Sequence, residues 1–175
     1  DLTNDTAVAF TQALLQKYIN YFAGKGCGYF NMGADEYAND VLKPNGFSYL
    51  LSNGLYNNFV NYVNDVAKLI VDAGMTPIAF NDGIYYKNTT NCGAFSKDIV
   101  VSYWENSGAA SASFIAQQGH KILNTNKSWY YVPGNTGSWA SMNTAKSGVN
   151  NTRVTSVAGD NGGVTPIGAM LCLWC

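Results

Sequence analysis

Gly28-Tyr-Phe-Asn-Met-Gly33-Ala-Asp35-Glu36 is a short aromatic and apolar run, stopped by glycine and followed at once by two adjacent carboxylates. Runs of this composition bounded by Gly read as strands, so the two acids fall at a strand's C-terminal end. Ahead of it, Val8, Phe10, Leu14, Leu15, Ile19 and Phe22 recur at helical spacing behind a capping Asn4, Asp5 or Thr6. Gly24, Gly26 and Gly28 end that helix.

The same order of helix, strand and polar strand end recurs downstream. Leu55 to Ala73 carries Phe59, Tyr62, Val63, Val66, Ile70 and Val71 on one face and stops at Gly74. Thr76-Pro-Ile-Ala-Phe80 then runs into Asn81-Asp82-Gly83. Asp98 to Trp104 forms the next apolar run, followed by a weaker helical pattern from Ala109 to Gln118. Lys121 to Asn124 continues into Trp129-Tyr130-Tyr131, and a long Gly, Asn and Ser loop precedes Pro166 to Trp174. The alternation predicts an α/β fold with a parallel sheet, its five strands near 28–33, 76–80, 98–103, 121–124 and 167–174.

An open doubly wound sheet and a (β/α) barrel both satisfy this alternation. No G-x-G-x-x-G opens a helix after any of the strands, which removes the commonest reason for an open nucleotide-binding sheet. Almost every strand instead ends in an acid, an amide or an aromatic residue, as the catalytic face of a barrel requires. The expected architecture is therefore an incomplete (β/α)8 TIM barrel, because eight strands close such a barrel and five are visible.

Composition narrows the chemistry. Ten Lys and Arg against eleven Asp and Glu, with one His, leave no basic field for nucleic acid or anionic lipid. Charged residues are only 12% of the chain, while Asn, Ser, Thr, Gly and Tyr are abundant. A neutral, Tyr-rich surface suits sugars, which offer hydroxyls to amides and apolar C–H faces to aromatic rings. Cys27, Cys92, Cys172 and Cys175 have no paired metal-ligand spacing, so no metal and no cofactor is expected. Cys172 and Cys175 form a C-x-x-C, but not one that opens a helix after a strand, as a redox motif would. No run approaches the ~18 apolar residues of a membrane span, and the first residues lack a basic stretch followed by an apolar one. The chain as given is expected to be soluble and to carry no export signal.

Asp35 and Glu36 can face one cavity if the backbone changes direction at the strand end, despite the usual alternation. One acid would protonate a leaving group while its neighbour stays ionised to orient or stabilise. From spacing alone an ordinary solvated Asp-Glu at a loop start is the competing reading.

Phe30-Asn-Met-Gly-Ala-Asp-Glu-Tyr37 resembles the acid/base signature of family 20 glycoside hydrolases, and Tyr37-Ala-Asn-Asp40 resembles its bacterial cell-surface members. Further similarity follows in order: Thr76 to Tyr86, Val100-Val-Ser-Tyr-Trp104, Ile122 to Asn126 with Trp129 to Tyr131, and Gly168 to Trp174. The resemblance implies a β-N-acetylhexosaminidase that releases terminal non-reducing β-linked N-acetylhexosamine from glycans. It implies retaining, substrate-assisted hydrolysis, in which the sugar's 2-acetamido carbonyl is the nucleophile and an oxazolinium forms.

On this resemblance Glu36 is the general acid and base, Asp35 holds the acetamido N–H, and Tyr130 donates to the acetamido carbonyl, with Tyr131 one place away as the other candidate. Trp104 and Trp174 match aromatic walls, and Phe80 stands where many relatives have Trp. Asp82, with Asn81, is a candidate ligand for sugar hydroxyls or else part of an Asx turn before Gly83. Asn31 stands where some relatives carry His. His120, with no partner visible in sequence, reads as structural.

The resemblance also implies that the chain enters after the third barrel strand and stops inside the eighth, so that residues 1–175 are about strands 4 to 8 of a larger catalytic domain. Such an arc exposes two edges and an apolar inner face, to be covered by the missing N-terminal barrel segment or by a second copy. The fragment alone is expected to be weak or inactive. An extracellular or bacterial cell-surface location is inferred from the same relatives. Lacto-N-biosidase-type disaccharide release and a noncatalytic glycan-binding module are the alternative functions.

Overall fold

The computed structural model describes residues 1–38, 46–106, 109–160 and 163–174. The element order is α1 (Asp5–Ala23), β1 (Tyr29–Asn31), α2 (Phe47–Ser52), α3 (Tyr56–Asp72), β2 (Thr76–Phe80), β3 (Val100–Tyr103), α4 (Ala112–Gln117), β4 (Ile122–Asn124), α5 (Met142–Asn151) and β5 (Gly168–Ala169). The five strands form one sheet in chain order, every neighbouring pair parallel. This is a portion of a (β/α) barrel, as the alternation of elements predicts.

Local signals account for the helices that frame the sheet. Asn4 caps α1, its side-chain oxygen accepting from the Ala7 amide at 3.0 Å. Of the stripe read in the sequence α3 buries Phe59, Val63, Val66 and Ile70, with Val60 and Ala67 beside them, while Tyr62 is half-buried and Val71 faces outward, 40% exposed. Ala79, Val101 and Ile122 lie in register across β2, β3 and β4 and join α3 in the main core. Phe80 and Ser102 form the adjacent register row, so they face the other side of the sheet, the interior of the barrel arc. Ile19, Val66, Ile70 and Met75 make a second core between α1 and α3, onto which Phe30 of β1 packs.

Three expectations are corrected. The strand read over 167–174 is regular only at Gly168–Ala169, and a lone parallel bridge joins Tyr131 to Leu173. Lys121 to Tyr131 is not continuous, because a 3-10 turn at Lys127–Trp129, capped by Asn126, interrupts it. The Gly, Asn and Ser loop contains α5, capped by the Ser141 hydroxyl, which accepts from the Thr144 amide at 3.3 Å. Tertiary contact overrides the weak propensity there: α5 approaches the Ser128 carbonyl so closely that a Cβ on Gly148 would lie 1.8 Å from its oxygen. α2 was also not anticipated; it contributes buried Phe47.

The edges are open, as expected of an incomplete barrel. Tyr29 on β1 is 60% exposed, and near β5 Ile167, Leu171 and Leu173 are all more than half exposed. His120 is buried behind the sheet and donates through Nδ1 to the Ile99 carbonyl at 3.0 Å, the structural placement expected of it. Burial holds its pKa below the ordinary histidine value.

The loop after β2 packs tightly on α2 and α3. Tyr56 donates its phenolic O–H to the Gly83 carbonyl, and a Cβ at Gly83 would sit 2.5 Å from the Phe47 ring and 2.6 Å from the Phe59 ring. Gly83→Ala is therefore expected to destabilise the fold by about 1–3 kcal/mol through overpacking. Urea unfolding would show a lowered midpoint with an unchanged slope; an unchanged midpoint would show that these rings yield freely.

Candidate active site

The polar strand ends converge at one end of the sheet. Gly33 and Ala34 after β1 both adopt positive φ (77° and 68°), and Glu36 does so again at 48°. Non-glycine residues in this region cost about 1–3 kcal/mol each and persist only where surrounding contacts hold them. Here the Asn31 side-chain oxygen accepts from the Gly33 amide at 2.9 Å, and the Gly33 carbonyl accepts from Phe80 N–H at 2.8 Å. The Glu36 amide donates to Asp82 Oδ2 at 3.0 Å. This contorted turn breaks the strand alternation and lets two sequential carboxylates reach the same cavity.

That cavity, of about 260 Å³, is lined by Asp35, Glu36, Phe80, Trp104, Tyr130, Trp139 and Trp174. Its size lies just below the usual range for drug-sized ligands, which fits a single ring with small substituents. Trp104 and Tyr130 stack with ring centroids 6.0 Å apart and planes 12° apart. Tyr130 meets Trp139 edge-on at 6.4 Å and Trp174 at 6.1 Å. The result is an aromatic box facing two acids, with Glu36 exposed and Tyr130 only 2% exposed.

Burial, reinforced by the neighbouring Cys172 thiol and the Asp82 and Asp35 carboxyls, pushes the Tyr130 phenol well above its ordinary pKa. It is thereby kept protonated, able to donate a hydrogen bond. Asp82 has its pKa pushed up to about 6, first by burial, which its hydrogen bonds to Trp104 and Glu36 partly offset. Lys127 pairs with Glu105 at 2.7 Å and lies 6.0 Å from the centre of the Trp104 ring, so the box is backed by a cation.

Six of the eight residues singled out in the sequence line this cavity: Asp35, Glu36, Phe80, Trp104, Tyr130 and Trp174. Asp82 and Tyr131 stand outside the lining. Both Asp82 oxygens accept from protein groups, the Glu36 amide and the Trp104 indole N–H. Tyr131 is engaged through its backbone, which donates to the Cys172 carbonyl at 3.1 Å and accepts from the Trp174 amide at 2.9 Å. Asn81 is fully buried and ties β2 to β3, donating to the Glu105 carbonyl at 2.7 Å and accepting from Trp104 N–H at 2.9 Å. It is a structural clamp and has no exposed surface for a sugar.

Trp139 was missed. It lies in the polar loop after Tyr131, whose return is closed by Val132 N–H donating to the Ala140 carbonyl at 2.8 Å. Only the presence of a tryptophan among Gly, Asn and Ser marked it, and periodicity says nothing about such a position. Among the described residues no group of His, Cys, Asp and Glu is placed to hold a metal, and no helix is long and apolar enough to cross a membrane.

The sequence matches the family model described as glycosyl hydrolase family 20, catalytic domain, over residues 1–174. Two solved structures of the pneumococcal exo-β-D-N-acetylglucosaminidase StrH match all of this chain, both with TM-score 0.92, at 36% and 35% identity. The chain spans 45% and 44% of those two structures. Dispersin B matches 99% of this chain with TM-score 0.74 at 23% identity, a likeness of fold, and 53% of that protein is covered.

Proposed function

The chain belongs to glycosyl hydrolase family 20, and from that premise we propose that it supplies the acid/base half of a retaining β-N-acetylhexosaminidase site. The observation that carries the reading is the sharing of one aromatic-walled cavity by Asp35, Glu36 and Tyr130.

Glu36 protonates the glycosidic oxygen as the bond to C1 breaks, and the acetamido carbonyl oxygen of the same sugar closes on C1. Asp35 accepts from the acetamido N–H, which orients the carbonyl and stabilises the positive charge of the oxazolinium. Tyr130 donates to the carbonyl oxygen, a task supported by a phenol that burial keeps protonated. Glu36, now a carboxylate, takes a proton from water as it attacks C1 from the leaving-group side, and configuration is retained. Phe80, Trp104, Trp139 and Trp174 enclose the acetamido methyl and the sugar face, excluding bulk water from the developing charge. No nucleophilic carboxylate is required.

The remaining assignments rest on the family and on coverage. The exposed β1 and β5 edges, with less than half of each StrH structure spanned, support a partial catalytic domain whose other strands complete the sugar site. The 175-residue chain alone is then slow or inactive. Terminal β-linked N-acetylhexosamine on glycans is the proposed substrate, and an extracellular or bacterial cell-surface location is proposed from the pneumococcal likeness.

The test compares 4-nitrophenyl N-acetyl-β-D-glucosaminide with the corresponding β-D-glucoside in a chain extended to a closed barrel. Hydrolysis of the first and not the second is expected, because the glucoside lacks the nucleophile. Comparable rates on both would contradict the assignment.

A further inference from the structure

Asp82 is the group in this region that the assigned chemistry leaves without a task. Its carboxylate is acceptor-only, and its two oxygens are divided between two distant elements. Oδ2 accepts from the Glu36 amide at 3.0 Å, and Oδ1 accepts from the Trp104 indole N–H. Glu36 lies on the turn after β1, Asp82 follows β2 and Trp104 follows β3, so one side chain spans three neighbouring strand ends.

Each end of this bridge is a part of the site that needs holding. The Glu36 backbone is at φ 48°, a conformation an ordinary side chain resists, and its amide is satisfied by Asp82. The Trp104 ring has rotational freedom about its side-chain bonds, and a hydrogen bond at the indole nitrogen fixes the face it presents to Tyr130. We propose that Asp82 is a positioning residue whose carboxylate clamps the Glu36 turn to the Trp104 wall, setting the acid and the aromatic box in one geometry. Its consequence for catalysis rests on the hydrolase reading; the clamp itself does not.

Ionised, the carboxylate can serve both donors. Protonated, it carries an O–H on one oxygen and serves them less well, so the clamp loosens on acidification. The charged and titratable groups around it are Asp35 and Glu36 from the β1 turn, Glu105 beside Trp104, and Lys127 and Tyr130 after β4. Lys127 is already paired with Glu105 at 2.7 Å.

The experiment is a pH titration of the ligand-free 175-residue chain by ¹H–¹⁵N NMR, following the Trp104 indole and Glu36 amide resonances. The four tryptophans give few indole peaks, and Trp104→Phe assigns the one required. Both resonances are expected to move with one midpoint near pH 6. In Asp82→Asn the Trp104 titration should vanish, and a spectrum otherwise unchanged reports an intact fold. Absence of a shared midpoint in the unaltered chain, or its persistence in Asp82→Asn, overturns the clamp. The same pair, each in a chain extended to a closed barrel, is then titrated with N-acetylglucosamine-thiazoline, a mimic of the cyclic intermediate, with a loss of about tenfold expected for Asp82→Asn. Equal affinity overturns the positioning role. A shared titration with no mimic bound by either extended protein upholds the clamp and counts against the hydrolase reading, which separates the two failures.

Discussion

Glu36→Gln is expected to lower kcat toward an N-acetylhexosaminyl disaccharide by about 10²–10⁴-fold, the usual contribution of a positioned general acid and base. The measurement is made in a chain extended to a closed barrel. Glutamine keeps the size of Glu36 and leaves the backbone amide free to hold Asp82, so the turn at φ 48° should persist. Affinity for the thiazoline mimic should therefore change by no more than a few-fold. The loss should be smaller for a nitrophenyl glycoside, because nitrophenolate departs without a proton and Glu36 is then needed chiefly to activate water. An equal loss on both substrates would argue that Glu36 acts in holding the sugar and not in moving a proton.

The parts of this molecule that the sequence discloses are those governed by periodicity and by strand-end chemistry. Phe59, Val63, Val66 and Ile70 of α3 and the apolar run at Thr76–Phe80 are read correctly because burial on one face, or on both, dictates their pattern. The turn carrying Asp35 and Glu36 is marked by Gly33, which takes positive φ, and the aromatic residues at later strand ends fall in the same cavity.

What was not legible depends on contacts between distant positions. α5 has little helical propensity and exists against the Ser128 segment, where Gly148 permits close approach. β5 is short because its pairing with β4 ends at Asn124–Ala169, beyond which only the Tyr131–Leu173 bridge remains. The sequence offers Asp82 as a ligand for sugar hydroxyls or as part of an Asx turn, and the partners of its carboxylate in the fold lie 46 and 22 residues away. No local pattern foretells such a bridge. Trp139 reaches the box through a loop closure that only the folded chain shows.

The largest effect on recognition is expected at Asp35. A carboxylate accepting from an amide N–H contributes about 1.5–3 kcal/mol, or roughly 10–150-fold in affinity. In the cyclic mimic the same nitrogen belongs to the thiazoline ring, and the Asp35 carboxylate accepts from it in its protonated form. The aromatic box would remain, since Trp104 and Tyr130 stack on each other independently of Asp35.

Isothermal calorimetry of N-acetylglucosamine-thiazoline with the chain extended to a closed barrel and with its Asp35→Ala variant tests the acetamido pocket most directly. Binding by the extended chain and a loss of at least about tenfold in the variant are expected. Equal affinity in the two proteins would contradict the assignment of Asp35, because the cyclised acetamido group would then be recognised without the carboxylate placed to hold its nitrogen.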